Sequence, residues 1–112
     1  MLPKDLVAAS SRPLVLAILA RGESYGYALL QEVRRLSGGE IAWTEGMLYP
    51  VLHRLEREGL LRGRWRKGPS GRRRKYYALS TRGRRSQVKE RERWSTVHET
   101  LLRAWKAAAP SI

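Results

Sequence analysis

The chain has 112 residues, 23 of them Lys or Arg against 10 Asp or Glu, for a formal net charge of +13, and it contains no cysteine. That length suits one small domain with an adequate but not generous core, and the composition excludes disulfides and thiolate metal sites. The longest apolar run, Leu14 to Ala20, is too short to cross a membrane and the start Met1-Leu2-Pro3-Lys4-Asp5 lacks a signal-peptide layout, so a cytoplasmic protein is expected.

Leu2 to Ser11 reads as the lead-in to one helix bent at Pro13, though Ser10 or Ser11 before that proline also suits a helix start. Leu14 to Ala20 is apolar nearly all round, which predicts burial on more than one side, and Gly22 ends the helix. Ser24 suits the cap of a second helix. Its Tyr25, Ala28, Leu29, Val33 and Leu36 form an inward stripe, with Gln31, Glu32, Arg34 and Arg35 outside and Tyr27 off the stripe. Gly38-Gly39 breaks it. Glu40-Ile41-Ala42-Trp43 is a short extended piece, expected to add a third strand to the hairpin further on, with Ile41 or Trp43 packed inward.

Thr44 to Gly59 is an amphipathic helix. Leu48, Val51, Leu52 and Leu55 recur at helical spacing on its core side, while Tyr49, His53, Arg54 and Arg57 point the other way. Thr44 is the N-cap, Glu45 sits beside the positive end of the helix dipole, and Gly59 is the stop. Met47 stands where a capping box would have Glu or Gln. Pro50 lacks an N–H and crowds the carbonyl four residues back, so the first turn should open near Gly46.

Arg62-Gly63-Arg64-Trp65-Arg66 alternates at strand period, giving one basic face and one that can pack. Lys67-Gly68-Pro69-Ser70-Gly71 is a turn by composition, and Arg72 to Leu79 returns as a second strand with Tyr77 and Leu79 on one face. Eight basic residues and no acid lie between Arg62 and Lys75. Behind an amphipathic helix, such a cluster points to a polyanion, because neutralising phosphates releases counterions. Ser80 then caps a helix expected to run to Ala109 and exit at Pro110. Arg82, Arg84, Arg85, Lys89, Arg91 and Arg93 crowd its beginning. Trp94, Val97, Leu101, Ala104 and Ala108 form a heptad seam of about two heptads, too short to associate alone. The seam packs on the first helix of its own chain or, shared with Leu14 and Ile18 of that helix, forms a two-fold dimer.

The material for catalysis is thin. The only histidines are His53 and His98 and the only aspartate is Asp5, and the glycines match neither a P-loop nor a dinucleotide fingerprint. His53 and Glu56, one turn apart, are a weak metal signal. Neither an enzyme nor a cofactor is expected.

The order helix, helix, strand hairpin is that of a winged helix-turn-helix, and the residues resemble PadR-type transcriptional regulators. The matching pieces are Ser24-Tyr25-Gly26-Tyr27, Glu45-Gly46-Met47-Leu48-Tyr49-Pro50 with Leu52 to Glu56, Gly59-Leu60-Leu61, Gly71 to Tyr77, and Ser80-x-x-Gly83. Met47 stands where many members have Thr, and Ser80 where Thr is usual. The resemblance implies a mainly α fold with a small β-hairpin (α+β). Residues 1–79 would be the winged helix-turn-helix DNA-binding domain and residues 80–112 a dimerisation helix and tail. It implies a homodimeric repressor of an inverted-repeat operator in double-stranded DNA. Thr44, Glu45, Met47, Tyr49, His53 and Arg54 would lie at bases or adjacent phosphates, and Tyr27, Lys67, Arg72, Arg73, Arg74 and Lys75 on the backbone or minor groove. It also implies a planar hydrophobic effector at the dimer interface, where Trp94 is the candidate ligand residue. The alternative is a winged-helix module that meets a protein or structured RNA without reading sequence.

Overall fold

The computed structural model describes residues 1–108, beginning with a helix, α1, from Lys4 to Leu19. It runs through Pro13 as one element, and the hydroxyls of Ser10 and Ser11 donate to carbonyls one turn back, Ser11 to Val7 at 2.7 Å. That bond satisfies the buried Ser11 hydroxyl. Val15, Leu16, Ile18 and Leu19 are buried, whereas Ala17 and Ala20 face outward.

The chain then forms β1 (Ser24–Tyr25), α2 (Gly26–Leu36), α3 (Glu45–Arg57), β2 (Leu61–Lys67), β3 (Arg73–Leu79) and α4 (Thr81–Ala108). The three strands make an antiparallel sheet in the order β1-β3-β2. The mainly α architecture with a small sheet and a long last helix is the one expected.

Three local expectations are corrected. The third strand is Ser24–Tyr25, not Glu40 to Trp43. The latter segment uses its polar groups elsewhere: the Ile41 N–H donates to the Ser37 hydroxyl at 2.9 Å, and the Glu40 carbonyl accepts from the Leu2 N–H at 3.0 Å. Ser24 and Tyr25 both pair within the sheet, and the N-cap of α2 is Tyr25, which makes no side-chain cap bond. Leu36, placed on the inward stripe, is half exposed beside the glycine pair that ends α2.

The core lies between the helices and one face of the sheet. Leu16, Leu19, Leu29, Val33, Leu48, Leu52, Leu55 and Tyr77 are its most buried members, and Trp43 is buried with them as expected. About 2 kcal/mol per fully buried aliphatic side chain makes this cluster the main stabilising term.

The end of α3 and the start of α4 are joined at one point. Gly59 (φ +77°) turns the chain out of α3. The Ser80 hydroxyl donates to the Gly59 carbonyl at 2.6 Å and accepts from the Gly83 N–H at 3.0 Å, so Ser80 caps α4 as expected. Gly83, the one buried residue of α4, lies against the Leu60 carbonyl, where a Cβ would collide with backbone. From there α4 runs about 42 Å at 1.5 Å per residue, giving the molecule its 63 Å long axis. Its expected exit at Pro110 lies outside the described residues.

Gly83→Ala is expected to destabilise the fold by about 1–3 kcal/mol, the range for overpacking, despite the better helix propensity of alanine. Urea unfolding monitored by circular dichroism measures this. A change within about 0.5 kcal/mol, as for an open surface site, would contradict the close approach.

Candidate nucleic-acid interface

α3 presents its outer side because its inner side is fully committed. Leu48, Leu52 and Leu55 are buried, with Met47 and Val51 half-buried beside them. The Thr44 hydroxyl accepts from the Met47 N–H at 3.2 Å, so the helix starts cleanly despite Pro50 two turns from the cap. At 100° per residue the line opposite the core carries Gly46, Pro50, His53 and Arg57, with Arg54 at its edge. Thr44, Glu45, Pro50, His53, Arg54 and Arg57 are exposed.

Tyr49 departs from the expected open front. It is half-buried, its hydroxyl and ring lying against Gly26 at the start of α2, where a Cβ would collide with them. The same residue therefore locks α2 to α3 and turns toward the wing. His53 lies next to it, ring centroids 6.1 Å apart.

The wing, β2 and β3, has two faces set by register. Leu61, Gly63, Trp65 and Lys67 lie opposite Leu79, Tyr77, Lys75 and Arg73, on the helix side of the sheet. Near the helices this face is buried at Leu61, Tyr77 and Leu79; beyond them Trp65, Lys67 and Arg73 overhang into solvent. Trp65 was expected on a packing face, yet it is 59% exposed because the wing outreaches the core, with the Arg73 guanidinium 5.7 Å from its ring.

Two basic residues expected on phosphate have partners within the chain. Lys75 Nζ donates to Glu56 on α3 at 3.0 Å and lies 5.2 Å over the Tyr77 ring. The absent side chain of Gly63 leaves the space this pair crosses. The Glu56 hydrogen bond, opposed by burial, raises the Lys75 pKa. Arg74 lies on the opposite sheet face, its guanidinium 4.4 Å over the Tyr25 ring.

Between α3, the start of α2 and the wing lies a cleft of about 570 Å³. It brings together Tyr27, Tyr49 and His53 from the helices with Arg72, Arg73, Arg74 and Lys75 from the wing. Thr44, Glu45, Met47, Arg54 and Lys67 lie outside it, the first four along α3 and Lys67 at the wing tip. Sequence reading missed Trp65 and Tyr25 in this cleft and Pro50 on the outer line of α3. The outward position of Pro50 was available from the helical period alone.

A second concavity of about 760 Å³ lies between α1 and α4, lined by Pro13, Leu14, Ala17, Ile41, Gln87, Glu90, Trp94 and His98 among others. Leu14 is half-buried there and Trp94 is 40% exposed. Ile18, expected at a shared interface, is buried in the core of its own chain. Val97, Leu101, Ala104 and Ala108 continue the exposed seam, joined by Leu102 and Trp105, which the heptad count left out. Arg12 fixes α4 here, donating to Glu58 at 3.0 Å and Glu90 at 3.1 Å. Its guanidinium lowers the Glu58 pKa.

A helical core presenting one exposed helix beside a basic two-stranded wing is a winged helix-turn-helix, a class of DNA-binding protein. The transcriptional regulator PadR-like family matches residues 15–89, and the chain belongs to that family. A PadR family transcriptional regulator from Eggerthella lenta DSM 2243 is 32% identical, with a TM-score of 0.74 over 90% of this chain and 86% of that one. A Streptococcus mutans UA159 protein of solved structure is 30% identical, with a TM-score of 0.81 over 94% of both chains. The transcriptional regulator YqjI of Escherichia coli (strain K12) is 29% identical over 90 residues, which are 80% of this chain and 42% of that protein. The chain is thus a DNA-binding transcription regulator and not an enzyme. Among the described residues no helix is long and apolar enough to cross a membrane.

The Glu56–Lys75 pair makes a pH-dependent contribution whose sign follows from the raised Lys75 pKa. Its stabilisation is complete below the unfolded lysine value and is lost as pH rises through the folded one. The melting temperature of wild type should exceed that of Glu56→Gln by a gap that is constant from neutral pH to about pH 10 and narrows above it. Thermal scans in matched buffers check this; a gap that widens above pH 10 would reverse the assignment.

Proposed function

We propose that this regulator is a cytoplasmic homodimeric repressor that reads an inverted-repeat operator and is released by a planar hydrophobic effector. The observation that carries the DNA-reading part is the cleft in which Tyr49 and His53 of α3 face the arginines of the wing. In this reading residues 1–79 are the DNA-binding unit, and dimerisation belongs to the chain from residue 80 onward. α3 enters the major groove with His53 and Arg54 at base edges and Thr44, Glu45 and Met47 at bases or adjacent phosphates. Tyr27, Lys67, Arg72 and Arg73 hold the backbone, and Arg74 and Lys75 orient the wing while adding to its positive field. Tyr49 positions His53 and offers its ring edge to the cleft.

The dimer part is supported by the exposed apolar seam Trp94, Val97, Leu101, Leu102 and Trp105, which a lone chain leaves in water. Leu14 borders the same side of α1. The α1–α4 concavity beside Trp94 has the volume of a small-molecule site. A flat aromatic compound stacked on the indole would gain about 0.5–2 kcal/mol per ring. Two reading helices related by a two-fold axis call for half-sites about 10 base pairs apart, or a multiple.

Selection of bound sites from a random duplex library supplies the operator, and a shift assay with competitor duplex tests the reading. Selective retention of an inverted repeat is expected; equal retention of all duplexes would instead favour a module for protein or structured RNA. Arg72→Ala with Arg73→Ala should weaken binding to every duplex and reduce the salt slope by up to about 2. His53→Ala and Arg54→Ala should change which sequences are preferred. A uniform loss from those two changes would remove them from readout.

Light scattering is expected to show a dimer at micromolar concentration and a monomer for Leu101→Asp. Trp94→Ala should retain the dimer yet lose the fluorescence response to planar aromatic dyes. Undiminished dye binding in that variant would exclude Trp94 as the effector site.

A further inference from the structure

The sheet face turned away from the helices is basic and, apart from Arg74, has no place in the reading above. Register places Arg62, Arg64 and Arg66 of β2 on it, opposite Ala78, Tyr76 and Arg74 of β3, with Tyr25 beside Tyr76. The three β2 arginines are exposed. Arg64 and Arg66, with Arg74 of β3, are also held by neighbours. Arg66 lies 3.8 Å over the Tyr76 ring, Arg74 lies 4.4 Å over Tyr25, and the two tyrosines meet edge to face at 5.3 Å. Glu23 forms an ion pair with Arg66 at 2.7 Å and accepts from Arg64 at 3.4 Å, and it is the only acid paired with the face among the described residues.

One carboxylate against four guanidiniums leaves the face strongly positive. A guanidinium stacked flat on a ring keeps its N–H groups in plane and free to donate, which suits phosphate oxygens. Alternate residues of a strand are about 6.7 Å apart, so the row from Arg62 to Arg66 spans about 13 Å. That is the axial reach of about four nucleotides of one strand. The row is continuous with the wing tip that carries Lys67 and Arg73.

We infer that this outer wing face is a second phosphate-binding surface, for the duplex that flanks each half-site. The inference rests on the DNA-reading proposal above and extends it. A duplex seated against α3 and the wing tip continues past the wing, and the arginine row lies along its backbone. These contacts carry no base information; they lengthen the required site and steepen its salt dependence.

The test uses the full chain and the duplex selected from the random library, in one form with flanks of about 10 base pairs, one helical turn, and in another with the flanks removed. Arg62→Gln with Arg64→Gln removes two charges while sparing Arg66 and its stacking. Wild type should bind the flanked duplex more tightly and with a salt slope steeper by about 2. The double variant should lose that excess while matching wild type on the trimmed duplex, which also shows that it is folded. Equal affinity of wild type for both duplexes, or an equal loss by the variant on both, overturns the inference and leaves the regulator reading intact. Absence of any selective duplex defeats that reading itself. A variant defect confined to an RNA hairpin assigns the face to RNA and likewise overturns it.

Discussion

Four chain segments meet where Ser80 bonds Gly59 and Gly83 touches the Leu60 carbonyl, and the rest of the structure depends on that meeting. The turn after α3, Leu60 just before β2, the last residue of β3 and the first turn of α4 are all within it. The Ser80 N–H also donates to the Leu60 carbonyl at 3.0 Å, closing the sheet onto the turn. Three hydrogen bonds of about 1 kcal/mol each hold it. The larger constraint is steric, because only glycine admits the helix so near a peptide oxygen.

A second set of contacts fixes the angle between the wing and α3. Tyr49 on Gly26 sets α2 against α3, and β1, directly before Gly26, pairs with β3. Glu56 and Lys75 then tie α3 to β3 across Gly63. Both tethers use a missing side chain to admit a polar or aromatic group. Glycines that look like turn residues in the sequence thus act as contact surfaces that set the width of the cleft. The ion pair is partly exposed and adds little stability. Its consequence is orientation, since it removes a freedom that DNA binding would otherwise have to restrain.

Much of this was legible in the sequence because its signals are local. The Thr44 cap, the period of Leu48, Leu52 and Leu55, the turn at Gly68 to Gly71 and the Ser80 cap each report on a few adjacent residues, and each matches the observed element. The errors fall where the outcome depends on distant residues. Ser24 was read as a helix cap and Glu40 to Trp43 as the third strand; pairing with Tyr76 and Tyr77, some fifty residues on, went to Ser24 and Tyr25 instead. Tyr49 and Lys75 were read as outward because polar groups on amphipathic elements usually are. Their partners, Gly26 and Glu56, lie on other elements. The burial of Ile18 was not legible, because the apolar run around it has no polar side to mark which residues face the core.

The same junction bears on how an effector at α4 would reach the DNA. α4 is not a tail hung on a flexible linker: its first turn is bonded to the end of α3 and pressed against the start of β2, while Arg12 bridges α1 to Glu58 and Glu90. Under the proposed dimer, a rotation of α4 about its partner must therefore carry α3 and the wing with it as one body. A compound wedged beside Trp94 need not deform the reading unit; changing the angle between two α4 helices suffices to change the separation of two α3 helices. Such coupling is reciprocal, so operator binding must weaken a compound that favours the wrong separation by the same factor. The stiffness of the Ser80–Gly83 junction is what makes the geometry of one site a constraint on the other.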